Sequence, residues 1–396
     1  MAEINKFLIE RLTNRFKQKF DHPPLAVARA PGRVNLLGEH VDYNDGFVMP
    51  AAIQRATYVA FSPSPGWVST LRSEDFAGEE LTFTRESLPA KIQDDASPLP
   101  GWGLYPAGVA WVFLQHGLPV IPIQAVFASD VPRGAGLSSS ASVEAAFCTA
   151  WHHLGGLNLP LMEQAALCLE AEDRYVGVHC GIMDQFASLC GVENRLLQLD
   201  CRSLEWSLLH LPEDISILIA DTRIPHSLNT SAYNQRRQEC EKAVQLLQVN
   251  LPSIRSLRDV SRDELEQYAG SLPIAVGMRA GHVVEEIHRT REAKICLESG
   301  NAAGFGGLMN ACHASLRDLY EVSCPELDLM VEIAQSLPGC LGARLTGAGF
   351  GGSTVNLVKN SQAEDFVNHL KTAYYQKTGL SAEVFITPAS AGAGIV

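Results

Sequence analysis

Residues 131–150 combine glycines and serines in an order that suits phosphate binding. Gly134 and Gly136 can adopt left-handed backbone angles, and a run of three serines follows at the expected start of a helix. The first amides of a helix lack internal partners and lie at the positive end of its dipole, so they bind anions. We predict a phosphate site here, with a serine-capped helix as the structural alternative. The stretch has no lysine and no Walker pattern, which excludes the P-loop class.

A second polar stretch, residues 30–44, carries side chains of the kind that bind a sugar. A sugar presents hydroxyl groups in many directions and is bound by paired donors and acceptors. The alternative is a turn-rich loop in which Asp42 and Asn44 cap turns. Seven side chains of the stretch can carry charge or form hydrogen bonds: Arg33, Asn35, Glu39, His40, Asp42, Tyr43 and Asn44.

Asp184 is a further candidate, because it lies among the apolar residues Ile182, Met183 and Phe186 shortly after Gly181. A carboxylate in this setting either caps a helix or acts as a functional acid. Without an identified partner, the sequence favours the helix cap.

Residues 346–352, TGAGFGG, match the letters of the dinucleotide pattern G-x-G-x-x-G. That pattern requires a following helix, whereas residues 353–358 alternate like a strand. The sequence therefore predicts a hairpin whose backbone closely approaches a ligand or a neighbouring part of the chain.

Elements on either side should position these groups. Apolar residues at period two predict a strand over residues 121–127, and helical spacing predicts a helix over residues 143–154 that stops at Gly155. Further strands are predicted over residues 204–211 and 215–220. Residues 252–304 read as helices separated at Gly270 and Gly281.

Composition limits the class of protein. The chain has 396 residues, of which 46% are hydrophobic, enough for two or three cores, and we place a boundary between residues 1–212 and 213–396. Its 44 acidic and 31 basic residues give a net charge of −13, which argues against nucleic acid and anionic membranes as partners. The N-terminal residues predict an amphipathic helix rather than a targeting segment. The ten cysteines show no metal spacing, so we expect reduced thiols in a cytoplasmic protein.

Together, the motifs GRVNLLGEHVDYN, VPRGAGLSSSAS, HCGIMDQF and TGAGFGG resemble those of the GHMP kinases, and within them the galactokinase family. The resemblance covers nearly the whole chain. It implies an α+β fold of two domains with the active site in the cleft between them. It also implies transfer of the γ-phosphoryl group of ATP to the anomeric hydroxyl of α-D-galactose, with Mg²⁺ as cofactor and with sugar and ATP as partners.

The same resemblance implies a role for each matching position. Asp184 and Arg33 match the catalytic pair. The positions that hold sugar hydroxyls are Glu39, His40, Asp42, Gly181 and Tyr233. The nucleotide positions are Gly134, Gly136, Ser138, Ser139, Ser140 and Trp102, and the magnesium pair is Ser140 with Glu172. For Trp102, core packing is the alternative to stacking on a flat ring.

Two other functions stay open at this point. A kinase for a related sugar, such as N-acetylgalactosamine or arabinose, would use the same residues in a reshaped pocket. A sensor that binds galactose and ATP without turnover is the other alternative. Such sensors can lack part of the serine-rich loop, whereas the loop is intact here. Arg133 departs from the family pattern, which more often has an apolar residue there, and we expect its side chain to lie in solvent rather than on a phosphate. Oligomeric state is beyond the sequence.

Overall fold

The computed structural model describes residues 2–225 and 230–396. Two short π-helical turns, Ala171–Val176 and Leu316–Tyr320, directly follow the α-helices that end at Glu170 and Ser315. In chain order the α-helices of the described residues are α1 (Ala2–Phe20), α2 (Leu104–Gln115), α3 (Ser139–Leu154), α4 (Leu161–Glu170), α5 (Met183–Cys190), α6 (Thr230–Leu247), α7 (Arg262–Tyr268), α8 (Ile274–Glu298), α9 (Ala302–Ser315), α10 (Pro325–Ser336) and α11 (Ala363–Thr378).

The strands of the same residues form three sheets. They are β1 (Ala26–Asn35), β2 (Phe47–Val48), β3 (Pro50–Pro63), β4 (Ser69–Ser73), β5 (Glu79–Phe83), β6 (Ile123–Ser129), β7 (Arg195–Asp200), β8 (Trp206–His210), β9 (Ile215–Asp221), β10 (Cys340–Thr346), β11 (Ser353–Lys359), β12 (Glu383–Thr387) and β13 (Gly394–Ile395).

The largest sheet has the order β13-β1-β3-β6-β4-β5, and its neighbours are antiparallel except for β4 and β6. Successive strand residues point to opposite faces. On β3, Tyr58 therefore packs with Leu12 of α1, while Val59 joins the main core that contains Phe147 of α3. The sheet is thus covered on both faces, and α3 is held directly behind β1.

A four-stranded antiparallel sheet, β10-β11-β9-β12, lies in the second half of the chain, and a small third sheet joins β2, β7 and β8. Helices α10 and α11 cover the four-stranded sheet, with Met330 and Phe366 packed on Leu218. The C-terminal strand β13 returns to pair with β1, so the last residues join the first sheet. The boundary at residue 212 stays a prediction.

The predicted helix after the serines and the predicted glycine hairpin are both confirmed. Gly281, however, lies inside the continuous helix α8, so the predicted break there is wrong. A glycine is tolerated because a 25-residue helix packed on its neighbours gains its stability mainly from tertiary contacts. A turn-rich loop was the structural alternative for residues 30–44, but residues 30–35 continue strand β1. None of the described helices is both long and apolar enough to cross a membrane.

Candidate active site

A cavity of about 520 Å³ gathers the residues that the sequence singled out. Its walls come from β1 and the loop after it, the loop before α3, the start of α5, helix α6 and the glycine hairpin. All fourteen predicted site residues line it: Arg33, Glu39, His40, Asp42, Trp102, Gly134, Gly136, Ser138, Ser139, Ser140, Glu172, Gly181, Asp184 and Tyr233. The structure brings them together, but what each one binds stays a prediction.

Asp184 has a charged partner in the structure. Arg33 Nε donates to Asp184 Oδ1 at 2.8 Å and Arg33 Nη2 donates to Oδ2 at 2.9 Å, a bidentate ion pair. Helix α5 begins at Met183, and its N-cap residue is Ile182. The expectation that Asp184 serves as the cap is therefore wrong. Arg33 is nearly buried, whereas the Asp184 carboxylate remains about a quarter exposed to the cavity.

The serine-capped alternative for the phosphate loop is also wrong. Ser138 occupies the N-cap position of α3 with φ of 57°, yet its side chain makes no capping hydrogen bond. Its hydroxyl instead donates to Asp184 Oδ2 at 2.5 Å. The backbone amides of the first turn of α3 thus receive no bond from this side chain, and the dipole of α3 points its positive end into the cavity.

The glycine hairpin makes the close backbone approach that its sequence predicts, and its neighbour is the phosphate loop. A Cβ on Gly136, which has φ of 72°, would lie 2.9 Å from the carbonyl oxygen of Thr346. A Cβ on Gly347 would lie 2.6 Å from the carbonyl oxygen of Gly136. Arg33 Nη1 also donates to that Gly136 oxygen at 2.7 Å. Glycines at both positions therefore let the two halves of the chain meet beside the Arg33–Asp184 pair.

His40 is neutral and has a defined tautomer. Burial lowers the pKa of His40 to about 3. Its Nε2 lies 3.2 Å from the carbonyl oxygen of Ala348, which can only accept, so Nε2 carries the proton. Nδ1 then accepts from the Tyr43 hydroxyl at 2.9 Å, and Tyr43 accepts in turn from Tyr320 at 2.8 Å. This chain of hydrogen bonds fixes the imidazole ring against the hairpin.

Asp42 lies under Gly181 in the same part of the cavity. A Cβ on Gly181 would come within 2.0 Å of Asp42 Oδ2, so only glycine fits there. Burial, and then the negative charge of Asp184, raise the pKa of Asp42 to about 7. The ring of Tyr233 packs 5.6 Å from that of His40, and burial raises the pKa of its hydroxyl far above the usual value. Near neutral pH this region offers carboxyl, imidazole and phenol groups to a polar ligand.

Glu39 is held by an arginine that the sequence analysis missed. The fully buried Arg344 of β10 forms an ion pair with Glu39 Oε2 and donates to the carbonyl oxygen of Asn35 at 3.2 Å. Burial nevertheless raises the pKa of Glu39. An arginine inside a strand that is otherwise apolar was the available signal, since a charge is buried only when it is paired.

The sequence analysis also missed a carboxylate, Glu286 of α8, which holds the backbone of the polar stretch of residues 30–44. Its Oε1 accepts from the Gly38 amide at 2.7 Å, and its Oε2 accepts from Arg289 at 2.6 Å. Although burial acts against ionisation, the charges of Arg289, His282 and Arg344 lower the pKa of Glu286 to about 2. The second half of the chain thereby fixes the turn that presents Glu39.

Three carboxylates cluster beside the start of α3. Burial and the charge of Asp184 raise the pKa of Glu172 to about 7, and Ser140 hydrogen-bonds Glu172. Gln185 Nε2 donates to Glu172 at 2.5 Å and to the fully buried Glu144 at 3.0 Å. Neither Gln185 nor Glu144 was predicted, because their roles depend on contacts across helices α3 and α5.

Aromatic side chains form a shelf near the phosphate loop, defined here as Phe76 and Trp102. Their rings are nearly parallel, at 19° and 6.0 Å between centroids. Trp102 also packs on Phe127 at 5.4 Å and donates from Nε1 to Glu79 at 2.8 Å. Trp102 therefore packs on the core and also lines the cavity, and its stacking on a flat ring of a ligand stays a prediction. Phe76 was not predicted.

Comparisons with known proteins find similarity over nearly the whole chain. Residues 14–63 match the profile described as "Galactokinase galactose-binding signature", residues 105–192 match "GHMP kinases N terminal domain", and residues 293–376 match "GHMP kinases C terminal". The galactokinase of Roseiflexus sp. (strain RS-1) is 45% identical, over 97% of this chain and 96% of that protein. Human galactokinase is 40% identical, over 98% and 97%.

Solved structures give the same result. The structure of Lactococcus lactis galactokinase complexed with galactose matches with a TM-score of 0.92 and 33% identity, over 98% of this chain and 99% of that one. A mevalonate kinase structure matches with a TM-score of 0.60 at 18% identity, which shows the shared fold alone. The predicted α+β GHMP kinase fold is confirmed.

Proposed function

The chain belongs to the galactokinase family of the GHMP kinases, and from this membership we propose how its cavity performs the reaction. The enzyme transfers the γ-phosphoryl group of ATP to the anomeric hydroxyl of α-D-galactose, giving galactose 1-phosphate and ADP. The observation that carries the proposal is the bidentate ion pair of Arg33 and Asp184. It lies where the polar stretch of residues 30–44 meets the phosphate loop.

Asp184 orients the anomeric hydroxyl and takes its proton late in the transfer. Phosphoryl transfer passes through a loose transition state, so positioning and charge neutralisation supply most of the catalysis. Two hydrogen bonds from Arg33 and one from Ser138 fix the carboxylate in one orientation. A weak base held in this way is sufficient, because no free alkoxide has to form. Arg33, which is nearly buried, also stabilises negative charge on the transferring group.

The sugar hydroxyls are held by Glu39, His40, Asp42, Tyr233 and the backbone of Gly181. Arg344 and Glu286 fix Glu39, and the Tyr43 bond fixes His40, so these groups are already oriented before the sugar binds. Groups held this rigidly discriminate against an analogue that lacks a hydroxyl, since a buried partner is then left unpaired.

The polyphosphate lies at the N-terminus of α3, where Gly134, Gly136, Ser138, Ser139 and Ser140 surround it, and Trp102 contacts the base. The fit is supported by the start of α3, whose N-cap side chain makes no capping hydrogen bond, and by the aromatic shelf beside it. The hydrogen bond from Arg33 to the carbonyl oxygen of Gly136 supports transfer from this loop to the sugar.

Ser140 and Glu172 are the residues that would hold Mg²⁺. The donor set suits this ion, because hydroxyl and carboxylate oxygens are hard ligands, and the neighbouring carboxylate of Asp184 leaves local negative charge to be balanced. Within residues 2–225 and 230–396, no three His, Cys, Asp or Glu side chains are placed to hold a metal ion by themselves. Mg²⁺ bound to ATP needs only one or two protein ligands. When bound, it neutralises phosphate charge.

Two broader assignments complete the proposal. Residues 1–212 and 213–396 form the two domains, since the strands up to β8 build the first and third sheets and β9 begins the next, with β13 as the exception. A cytoplasmic location fits the use of ATP and the ten free cysteines.

A coupled assay for ADP release tests the function. Mg-ATP is supplied with galactose, N-acetylgalactosamine, arabinose, glucose or galacturonate. The proposal predicts fast turnover with galactose. Turnover with another sugar alone would keep the mechanism but assign the enzyme a different sugar substrate. Saturable binding of galactose and ATP without ADP release would contradict catalysis.

A further inference from the structure

Arg133 lies at the edge of the cavity immediately before Gly134 of the phosphate loop. Its side chain is exposed, as the sequence predicts, but it does not extend away from the protein. The guanidinium carbon lies 4.5 Å from the centroid of the Phe76 ring, on the aromatic shelf. Arg133 therefore bridges the loop that would bind phosphate and the shelf that would contact the base.

The charge balance of the cavity makes this arginine distinctive. The carboxylates in the lining belong to Glu39, Asp42, Asp75, Glu172 and Asp184, and the arginines are Arg33 and Arg133. The charge of Arg33 is balanced in part by its bidentate pair with Asp184. Burial raises the pKa of Asp75, and the charge of Arg133 acts against that rise. The Asp75 carboxylate, however, accepts a hydrogen bond from the backbone amide of Ser129 at 2.8 Å. Among the described residues, Arg133 has no carboxylate within ion-pair distance, so its charge is available to a ligand.

We propose that Arg133 binds the polyphosphate of the nucleotide and thereby determines much of the affinity for ATP and ADP. This inference rests on the proposed kinase function. An arginine can stack on an aromatic ring through its planar face while its edge donates N–H groups to phosphate oxygens. The γ-phosphoryl group must reach Arg33 and Asp184, so the phosphates nearer the shelf, α and β, are the partners of Arg133.

The physical need for such a cation follows from the loop sequence. A Walker loop supplies a lysine to the phosphates, whereas residues 131–150 contain none. A nucleotide polyphosphate is strongly negative, so a positive charge near the loop, in addition to that of Mg²⁺, favours its binding. Arg133 supplies that charge, and it acts through charge-assisted hydrogen bonds, which are stronger than neutral ones.

The test compares ADP, AMP and adenosine binding by calorimetry at fixed Mg²⁺ and galactose, for the wild-type protein and three variants. Arg133→Met keeps an unbranched apolar side chain on Phe76 but removes the charge, and Arg133→Lys restores it. Arg291→Met is the matched control, because Arg291 is also exposed and lies 5.0 Å from a ring centroid, that of Phe47, outside the cavity.

We expect Arg133→Met to weaken ADP binding about 10-fold and to leave adenosine binding within about 2-fold, since the lost hydrogen bonds go to phosphate. Arg133→Lys should recover most of the ADP affinity. Raising the salt concentration should weaken ADP binding more in the wild type than in Arg133→Met.

Equal losses for ADP and adenosine would overturn the proposal, because they would place Arg133 on the base. A loss in Arg133→Met no larger than that in Arg291→Met would overturn it as well. Failure of the kinase function is a separate result, since it would appear as absent ADP release in the wild type, whereas nucleotide affinity is measured without turnover.

Discussion

Asp42 should make the stability of the protein depend on pH in a predictable direction. Burial and the charge of Asp184 raise the pKa of its carboxyl group to about 7 in the folded protein, against 3.8 for an unperturbed aspartate. Between these values the folded state binds more protons than the unfolded state. The free energy of unfolding must therefore fall as pH rises through this window. Asp42→Asn removes the ionisation and should stabilise the protein most above pH 7.

The size of the effect follows from the two pKa values. Above pH 7, ionised Asp42 costs about 4 kcal/mol of folding free energy, since each pH unit of separation is worth about 1.4 kcal/mol. At pH 5 the cost is about 1.7 kcal/mol. The advantage of Asp42→Asn should therefore grow by about 2 to 3 kcal/mol between pH 5 and pH 8. For a chain of 396 residues that unfolds as one unit, this is about 3 °C in Tm.

Thermal melting of the wild-type protein and of Asp42→Asn at pH 5 and pH 8 measures how the Tm advantage of the variant changes with pH. Asp45→Asn is the control, because Asp45 is only partly buried and lies in the same loop, where it pairs with Arg202. Its Tm difference should not grow with pH. A Tm advantage of Asp42→Asn that is constant, or that shrinks as pH rises, would refute the reasoning. The same variant should bind galactose more weakly, which calorimetry would show.

Three further substitutions test other contacts of the site. Arg344→Met leaves Glu39 buried and unpaired, so we expect about 3 to 5 kcal/mol of destabilisation in thermal melts and weaker galactose binding by calorimetry. Gly181→Ala puts a Cβ 2.0 Å from Asp42 Oδ2, and the displaced carboxylate should raise the KM for galactose more than 10-fold in steady-state assays. Gln185→Leu removes the amide that holds Glu172, and Mn²⁺ binding with ADP, followed by electron paramagnetic resonance, should weaken about 10- to 100-fold.

Each of these has a result that contradicts it. Undiminished stability in Arg344→Met would mean that Glu39 accepts a proton at little cost. An unchanged KM in Gly181→Ala would remove Asp42 from the sugar site. For Gln185→Leu the control is Gln164→Leu, because Gln164 is also buried but bonds to the Leu159 carbonyl oxygen. Equal Mn²⁺ affinities in the two variants would exclude a positioning role for Gln185.

The elements with strong periodic patterns were predictable from the sequence, and those without were not. Helix α3 and the hairpin of β10 and β11 have clear helical and alternating spacing. Strand β7 was missed because four successive residues within it are buried, which leaves no period of two to detect. Gly281 misled the prediction because local helix propensity is weaker than the packing of the long helix α8.

The composition of the cavity could be predicted, whereas its internal connections could not. The family resemblance of the motifs was enough to choose residues that all line one cavity. The ion pair of Arg344 with Glu39 joins residues 305 positions apart, and the bridge of Gln185 from Glu144 to Glu172 depends on how α3 and α5 meet. Such contacts arise from tertiary packing, and a single sequence carries no direct record of them. The one sign of such a contact in the sequence is a charged residue inside an apolar strand.

The most direct test of the account is the rate of galactose 1-phosphate formation by Asp184→Asn, measured at saturating galactose and Mg-ATP. Asparagine can still contact Arg33, but it cannot accept the proton of the anomeric hydroxyl. The account predicts a fall in kcat of about 1,000-fold with galactose affinity largely kept, in line with the usual contribution of a positioned base. Turnover close to that of the wild type would contradict the assignment of Asp184 and with it the proposed mechanism.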